Sequence, residues 1–232
     1  MFLNLTPGEL EAVLLSLRVA SLSVLFSLPL AVATGWLLAR YDFPGKTLVD
    51  GLVHLPLVLP PVVTGYLLLI LLGTQGPVGA WLNETFGVQL AFRWTGAVVA
   101  AAVMAFPLMV RPIRLSLEAI DRKLPEAAIT LGAGRFVVFF TVILPLALPG
   151  VLAGAVLGFA KALGEFGATI TFAANIPGET RTLPSAIYTY VQIPGGEEAA
   201  ARLVVVAVAL SLVALILAEA LGRVLGNWVR GA

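Results

Sequence analysis

The sequence predicts an all-α polytopic membrane protein, and three observations carry that prediction. Of its 232 residues, 59% are hydrophobic and only 12% charged, whereas soluble domains carry about 25% charge; mean hydropathy is +1.01. Several runs reach the ~20 apolar residues that a helix needs to cross a bilayer. The alternating segments of about ten residues that mark a membrane β-barrel do not occur. Net charge is +1, so no global basic bias points to nucleic acid. The absence of cysteine removes disulfides, thiol nucleophiles and Cys metal sites. The start, MFLNLTPGELEAVLL, has neither a basic n-region nor an A-x-A site and does not read as a cleaved signal peptide. One transmembrane domain over 1–232 is expected.

Five spans follow in order. The first is placed at 19–39, at the end of an apolar run from Leu10, with Arg18 near one interface and Pro29 as a kink. Arg18 either snorkels to head groups or belongs to a pathway. RYDFPGK (40–46) is a polar turn. The second span, 52–72, contains Pro56, Pro60, Pro61 and Gly65. Prolines free carbonyls inside the membrane, and such breaks survive where protein or a water-filled cavity surrounds them. This span either lines a transport route, as broken helices do, or is a kinked packing helix. His54, the sole histidine, is read as an ordinary polar contact. Residues 73–94 are read as a loop, and the third span as 95–110. The stretch 136–148, thirteen residues ending before Pro149, is too short to cross and is read as an interfacial or lead-in helix. The fourth span is placed at 149–172. Gly150, Gly154 and Gly158 recur there every four residues and predict close helix approach. Lys161 and Glu165 share a face and are expected to pair at membrane depth. Residues 173–202 read as a polar loop and 203–222 as the fifth span.

The basic residues divide unevenly between these spans. Arg40, Lys46, Arg111, Arg114, Arg122, Lys123, Arg135, Arg223 and Arg230 fall on one side, and only Arg93, Arg181 and Arg202 on the other. Nine against three places the first group in the cytoplasm. The N-terminus is then outside and the C-terminus inside, in agreement with an odd number of spans.

The segment 111–135 is the least membrane-like part of the chain. Within LPEAAITLGAGR (124–135), Pro125 suits a first helical turn, and the Glu126 carboxylate complements the helix dipole. Ala127, Ala128, Ile129 and Leu131 propagate the helix, and Gly132 and Gly134 stop it. A helix this short is marginal alone in water. It must be docked, on its own membrane domain or on a partner, and two alanines give it a narrow side. Its basic flanks could equally meet anionic lipid.

EAAITLG followed by VILP resembles the EAA motif of ABC-importer permease subunits. Glu126, Ala127, Ala128, Gly132, Leu144 and Pro145 match in place, and Val142 stands where Ile is commonest. The resemblance implies that the short helix couples to a cytoplasmic ATPase. HLPLVLPPVVTGYLLL (54–69), FPLMVRPIRLSLE (106–118) and LGEFGATITFAANIPGETRTLPSA (163–186) resemble molybdate-importer permeases; GEFGA also resembles sulfate-importer permeases. This implies a homodimer in the inner membrane, two ATPase subunits that bind ATP and Mg, and an extracytoplasmic oxyanion-binding protein. The cargo implied is molybdate, with sulfate or tungstate as alternatives. The chain itself has no GxxxxGK[ST] phosphate loop and no Ser/His/Asp or metal cluster, so neither catalysis nor a cofactor is expected of it. A stand-alone channel or secondary transporter is the competing class, against which the lack of inverted repeats speaks. Pro60, Pro61, Gly154, Gly158, Lys161 and Glu165 are the candidates for the pathway or for helix packing, on the faces 52–66 and 154–169 at a homodimer axis.

Overall fold

The computed structural model describes residues 5–230, and every described element is a helix. Met1–Asn4, the last two residues of the expected domain, and the side chains of Arg223 and Arg230 lie outside what is described. The elements are α1 (Pro7–Arg40), α2 (Lys46–Val58), α3 (Pro61–Leu72), α4 (Pro77–Phe86), α5 (Trp94–Glu118), α6 (Lys123–Thr130), α7 (Arg135–Val138), a π turn (Phe139–Ile143), α8 (Leu144–Leu163), α9 (Gly167–Ala173), α10 (Leu183–Gln192) and α11 (Glu197–Arg230).

Four helical rods are long and apolar enough to cross a membrane, and the bent pair α2–α3 makes a fifth if it counts as one span. α1 starts on a reciprocal cap. Thr6 N–H donates to Glu9 Oε2 at 2.7 Å, and Thr6 Oγ1 accepts from Glu9 N–H. The T-x-x-E spacing is a capping-box signature that the sequence reading passed over. The helix then runs unbroken through Pro29. α5 is the hub of the fold: α1 and α8 both pack on it and also on each other. Small residues make this possible. A Cβ on Gly154 would lie 2.8 Å from the Met109 carbonyl oxygen, one on Gly150 2.3 Å from Ser116 Cβ, and one on Gly35 3.0 Å from Ile113 Cγ2. The expected close approach at Gly150, Gly154 and Gly158 is therefore made onto α5, and Met109, Val110, Ile113 and Leu117 are buried beneath it. Ser23 adds a polar link, its Oγ lying 2.9 Å from the Val98 carbonyl.

Three span boundaries are corrected. Of the two readings of 136–148 the lead-in stands: it runs without a break into the following span, and Arg135–Leu163 is one rod of 29 residues. At 1.5 Å per residue it is roughly 43 Å long, more than the ~30 Å hydrocarbon core. Pro145 has no N–H to bond the Thr141 carbonyl. A π turn takes up the defect, with Leu144 N–H bonding Phe139 O. The rod ends at Leu163, so 149–172 is not one helix. Gly164–Phe166 break it, and α9 starts separately. The 52–72 span is also two helices, bent by 115°. Consecutive prolines remove two donors, and residues before proline are pushed extended; Leu59 and Pro60 have ψ 143° and 133°. The third span extends past 110 to Glu118 despite Pro107 and Pro112. The loops at 73–94 and 173–202 contain α4 and α10.

Candidate functional site

Two places in the fold carry the residues singled out by sequence. The first is α6 with its flanks. Asp121 Oδ1 accepts the Lys123 N–H at 3.0 Å and starts the helix. Pro125 and Glu126 lie in its first turn. The end is a Schellman motif: Ala133 N–H bonds Ala128 O at 3.1 Å and Gly132 N–H bonds Ile129 O at 2.9 Å. Gly132 has φ +92° with open space where a Cβ would stand, so backbone conformation alone demands glycine. Gly134 has φ −64° and plays no such part.

Within its own domain α6 packs chiefly on α7 and the π turn. Ala128 is turned inward and packs on the main core, while Ala127 is exposed. The outward side is apolar as well as charged. Leu124, Ile129 and Leu131 are 50%, 44% and 89% exposed, and no carboxylate or base lies within ion-pair distance of Glu126 among the described residues. Leu144 and Pro145 are not on this helix. They stand in the first turn of α8, after the π turn, and Leu144 lines the same groove as Glu126.

The second place is the α8–α9 break facing α3. Lys161 Nζ donates to Glu165 Oε2 at 2.6 Å, and Glu165 Oε1 accepts the Ala168 N–H at 2.9 Å. One carboxylate thus neutralises a lysine and caps α9. Its side chain is 1% exposed against 28% for Lys161. α9 lies against α3 through two glycines: a Cβ on Gly65 would be 2.6 Å from Ala168 O, and one on Gly167 2.7 Å from Pro61 Cβ. Pro61 thereby joins this site, while Pro60 is the exposed hinge residue of the bend. Gly154 and Gly158 are buried on α5 instead and do not reach it.

Sequence reasoning also missed two polar ties at the opposite end of the bundle from α6. Arg202 Nη2 donates to Glu9 Oε1 at 2.7 Å, and Ser16 Oγ accepts the Leu183 N–H at 2.6 Å. Both join residues far apart in the chain, which no local pattern announces. Arg18 stacks over the Trp94 ring at 3.7 Å, a cation–π contact. His54 Nδ1 is 2.9 Å from the Asp50 carbonyl, an intrahelical polar contact.

An all-helical bundle with four helices long and apolar enough to cross a membrane, and an exposed short helix between two of them, α5 and the rod Arg135–Leu163, defines the class of polytopic membrane proteins. Residues 31–230 match the model of the binding-protein-dependent transport system inner membrane component, and the chain belongs to that family. It is 61% identical over 220 residues to the molybdenum transport system permease protein ModB of Escherichia coli (strain K12), covering 95% of this chain and 96% of that one. It is 37% identical over 186 residues to the sulfate transport system permease protein CysT of the same organism, covering 80% of this chain and 67% of the relative. A bacterial alginate ABC transporter, solved in complex with an alginate pentasaccharide-bound periplasmic protein, shares the fold. Its TM-score is 0.72 at 19% identity, over 94% of this chain and 79% of that one.

Proposed function

We propose that this chain is the transmembrane permease subunit of an ATP-driven importer that carries molybdate across the inner membrane by alternating access. The observation that carries the reading is the 61% identity to a molybdenum permease along 95% of the chain. Sulfate is the second reading, favoured by the 37% identity to a sulfate permease; tungstate is a third cargo of the same kind. In the proposed assembly two copies of the chain pair, two cytoplasmic ATPase subunits bind ATP and Mg, and an extracytoplasmic oxyanion-binding protein delivers the cargo.

The geometry supports this division of labour. α6 offers a partner Leu124, Ile129 and Leu131 together with Glu126, which has no ion pair among the described residues, and its slight hold on its own domain suits a helix gripped from outside. Closure of the ATPase dimer would move α6, and with it the rod Arg135–Leu163. That rod would switch the bundle between two arrangements. Coupling would run through Glu126, Ala127, Ala128 and Gly132, with Leu144 and Pro145 at the π-turn joint. α2 has no buried residue, which suits burial against a second copy near the bend at Pro60 and Pro61. The positive-inside asymmetry supports five crossings with the N-terminus outside and the C-terminus in the cytoplasm.

The test is labelled-molybdate uptake in vesicles holding permease and ATPase, with unlabelled molybdate, tungstate and sulfate as competitors. Glu126→Lys should abolish ATP-coupled uptake and leave membrane insertion intact. Uptake without any ATPase, or undiminished uptake by Glu126→Lys, would remove the coupling reading and return the chain to the channel or secondary-transporter class. Stronger competition by sulfate than by molybdate would transfer the cargo.

A further inference from the structure

A groove of about 1120 Å³ runs between α1 and the rod α7–π turn–α8, closed at one end by α6. Its walls are apolar, with Val32 and Trp36 on α1 facing Phe139, Ile143 and Leu148 on the rod. All the charge is at the α6 end, where Arg40, Arg122 and Arg135 meet the single carboxylate of Glu126. None of these three arginines has a carboxylate within 4.0 Å among the described residues. Arg40 Nε is buried with no hydrogen-bond partner, and its Nη2 reaches only the Ile120 carbonyl, at 3.4 Å. Arg40 as a whole is half-buried, but a buried N–H left unpaired is costly, so the mouth is short of an anion. From Arg40 back to Leu28 the groove follows twelve residues of α1, roughly 18 Å. One leaflet of a ~30 Å hydrocarbon core is about as deep. The π turn belongs to the same wall: Phe139, Phe140 and Ile143 all line the groove, and such turns cluster at functional sites.

We propose that this groove is a binding site for one anionic glycerophospholipid per chain. Its phosphate sits among Arg40, Arg122 and Arg135, and one acyl chain lies along Trp36, Val32 and Leu28. The occupant follows from the charge pattern: an apolar slot of leaflet depth with an excess of two positive charges at its mouth matches an amphiphile with an anionic head. A zwitterionic lipid would fill the slot and leave the excess charge unmatched. A soluble anion would match the charge and leave the slot empty. Because the groove ends on Pro125, Glu126 and Ile129 of α6, the bound lipid would brace the helix that the proposed ATPase grips. The inference rests on the membrane-permease reading for its bilayer and not on the cargo, so an uptake assay that reassigns the cargo leaves it standing.

The test is native mass spectrometry of the permease–ATPase complex released from nanodiscs of phosphatidylglycerol and phosphatidylcholine in equal amounts. We expect one phosphatidylglycerol retained per permease chain, preferred over phosphatidylcholine by roughly twenty-five-fold, a factor of about five for each of two net charges. Arg40→Gln with Arg135→Gln should bring that preference close to one. Ala33→Trp, at an exposed groove position, should expel the lipid without touching its charges and keeps the test decisive should the arginine variant misfold. Equal retention of both lipids, or a preference that survives both variants, overturns the proposal. So does cross-linking of Ala33→Cys, in this otherwise cysteine-free chain, to a second copy or to the ATPase, because protein would then fill the groove.

Discussion

Lys161→Met probes the break between α8 and α9. The two members of the Lys161–Glu165 pair are unequal. Glu165 is 1% exposed and is held only by Lys161 Nζ and the Ala168 N–H, whereas Lys161 is 28% exposed. Removing the lysine strands a carboxylate in the interior with one amide as its remaining donor. Breaking a buried pair from one side costs about 3–5 kcal/mol. Glu165→Gln leaves an ammonium that reaches water and an amide oxygen that still caps Ala168. Its cost is that of one charged hydrogen bond, about 1.5–3 kcal/mol. Adding Glu165→Gln to Lys161→Met removes the stranded charge. The double variant should therefore be more stable than Lys161→Met alone, with a coupling of at least ~2 kcal/mol. Reversible unfolding of the four proteins in mixed micelles measures this directly. Losses that add to within ~0.5 kcal/mol would refute the coupling, and equal losses for the two single variants would refute the argument from unequal burial. The same double variant bears on transport. Retained uptake would make the pair a structural clip, and abolished uptake in a stable protein would place Lys161 on the oxyanion route.

Three further outcomes are expected. Gly154→Val forces side-chain atoms against the Met109 carbonyl, 2.8 Å from the Cβ position, and should cost at least ~1–3 kcal/mol, read as a lowered melting temperature with monodisperse protein lost first on heating. Gly132→Val meets no neighbour and pays only for its φ of +92°, about 1–2 kcal/mol; thermal stability should fall slightly while ATPase co-purification falls more, because α6 loses its end geometry. Ile129→Asp with Leu131→Asp, at positions 44% and 89% exposed, should leave the melting temperature of the isolated permease unchanged and abolish ATPase capture on an affinity column.

The class of protein, the apolar runs, the Lys161–Glu165 pairing and the short helix from Pro125 to Gly132 were legible because each depends on neighbours within four residues. Helical periodicity, capping and the left-handed glycine at 132 act over one or two turns. Where proline sat in a run, the same local rules misled. Pro149 reads as a start and Pro60–Pro61 as a kink, yet the chain passes Pro145 and Pro149 in one rod and breaks fully at Pro60. The difference lies in what surrounds the defect. A π turn re-pairs the backbone at Phe139–Ile143 and the rod continues into α8, which packs on α5 and α1, while the bend before α3 is fixed by the contact of Pro61 and Gly65 with Gly167 and Ala168.

By itself the sequence determined that this chain lives in a membrane and that one short polar helix interrupts its apolar runs. These follow from composition, hydropathy and spacing along the chain. Only the tertiary structure decided which glycines face α5 and which face α3, and that Ala128 turns inward while Leu124, Ile129 and Leu131 turn out. It alone brought Arg40, Arg122 and Arg135 to one mouth from three separate segments. Those facts depend on how rods tens of residues apart in sequence lie against each other, and the packing that sets them leaves no local mark on the chain.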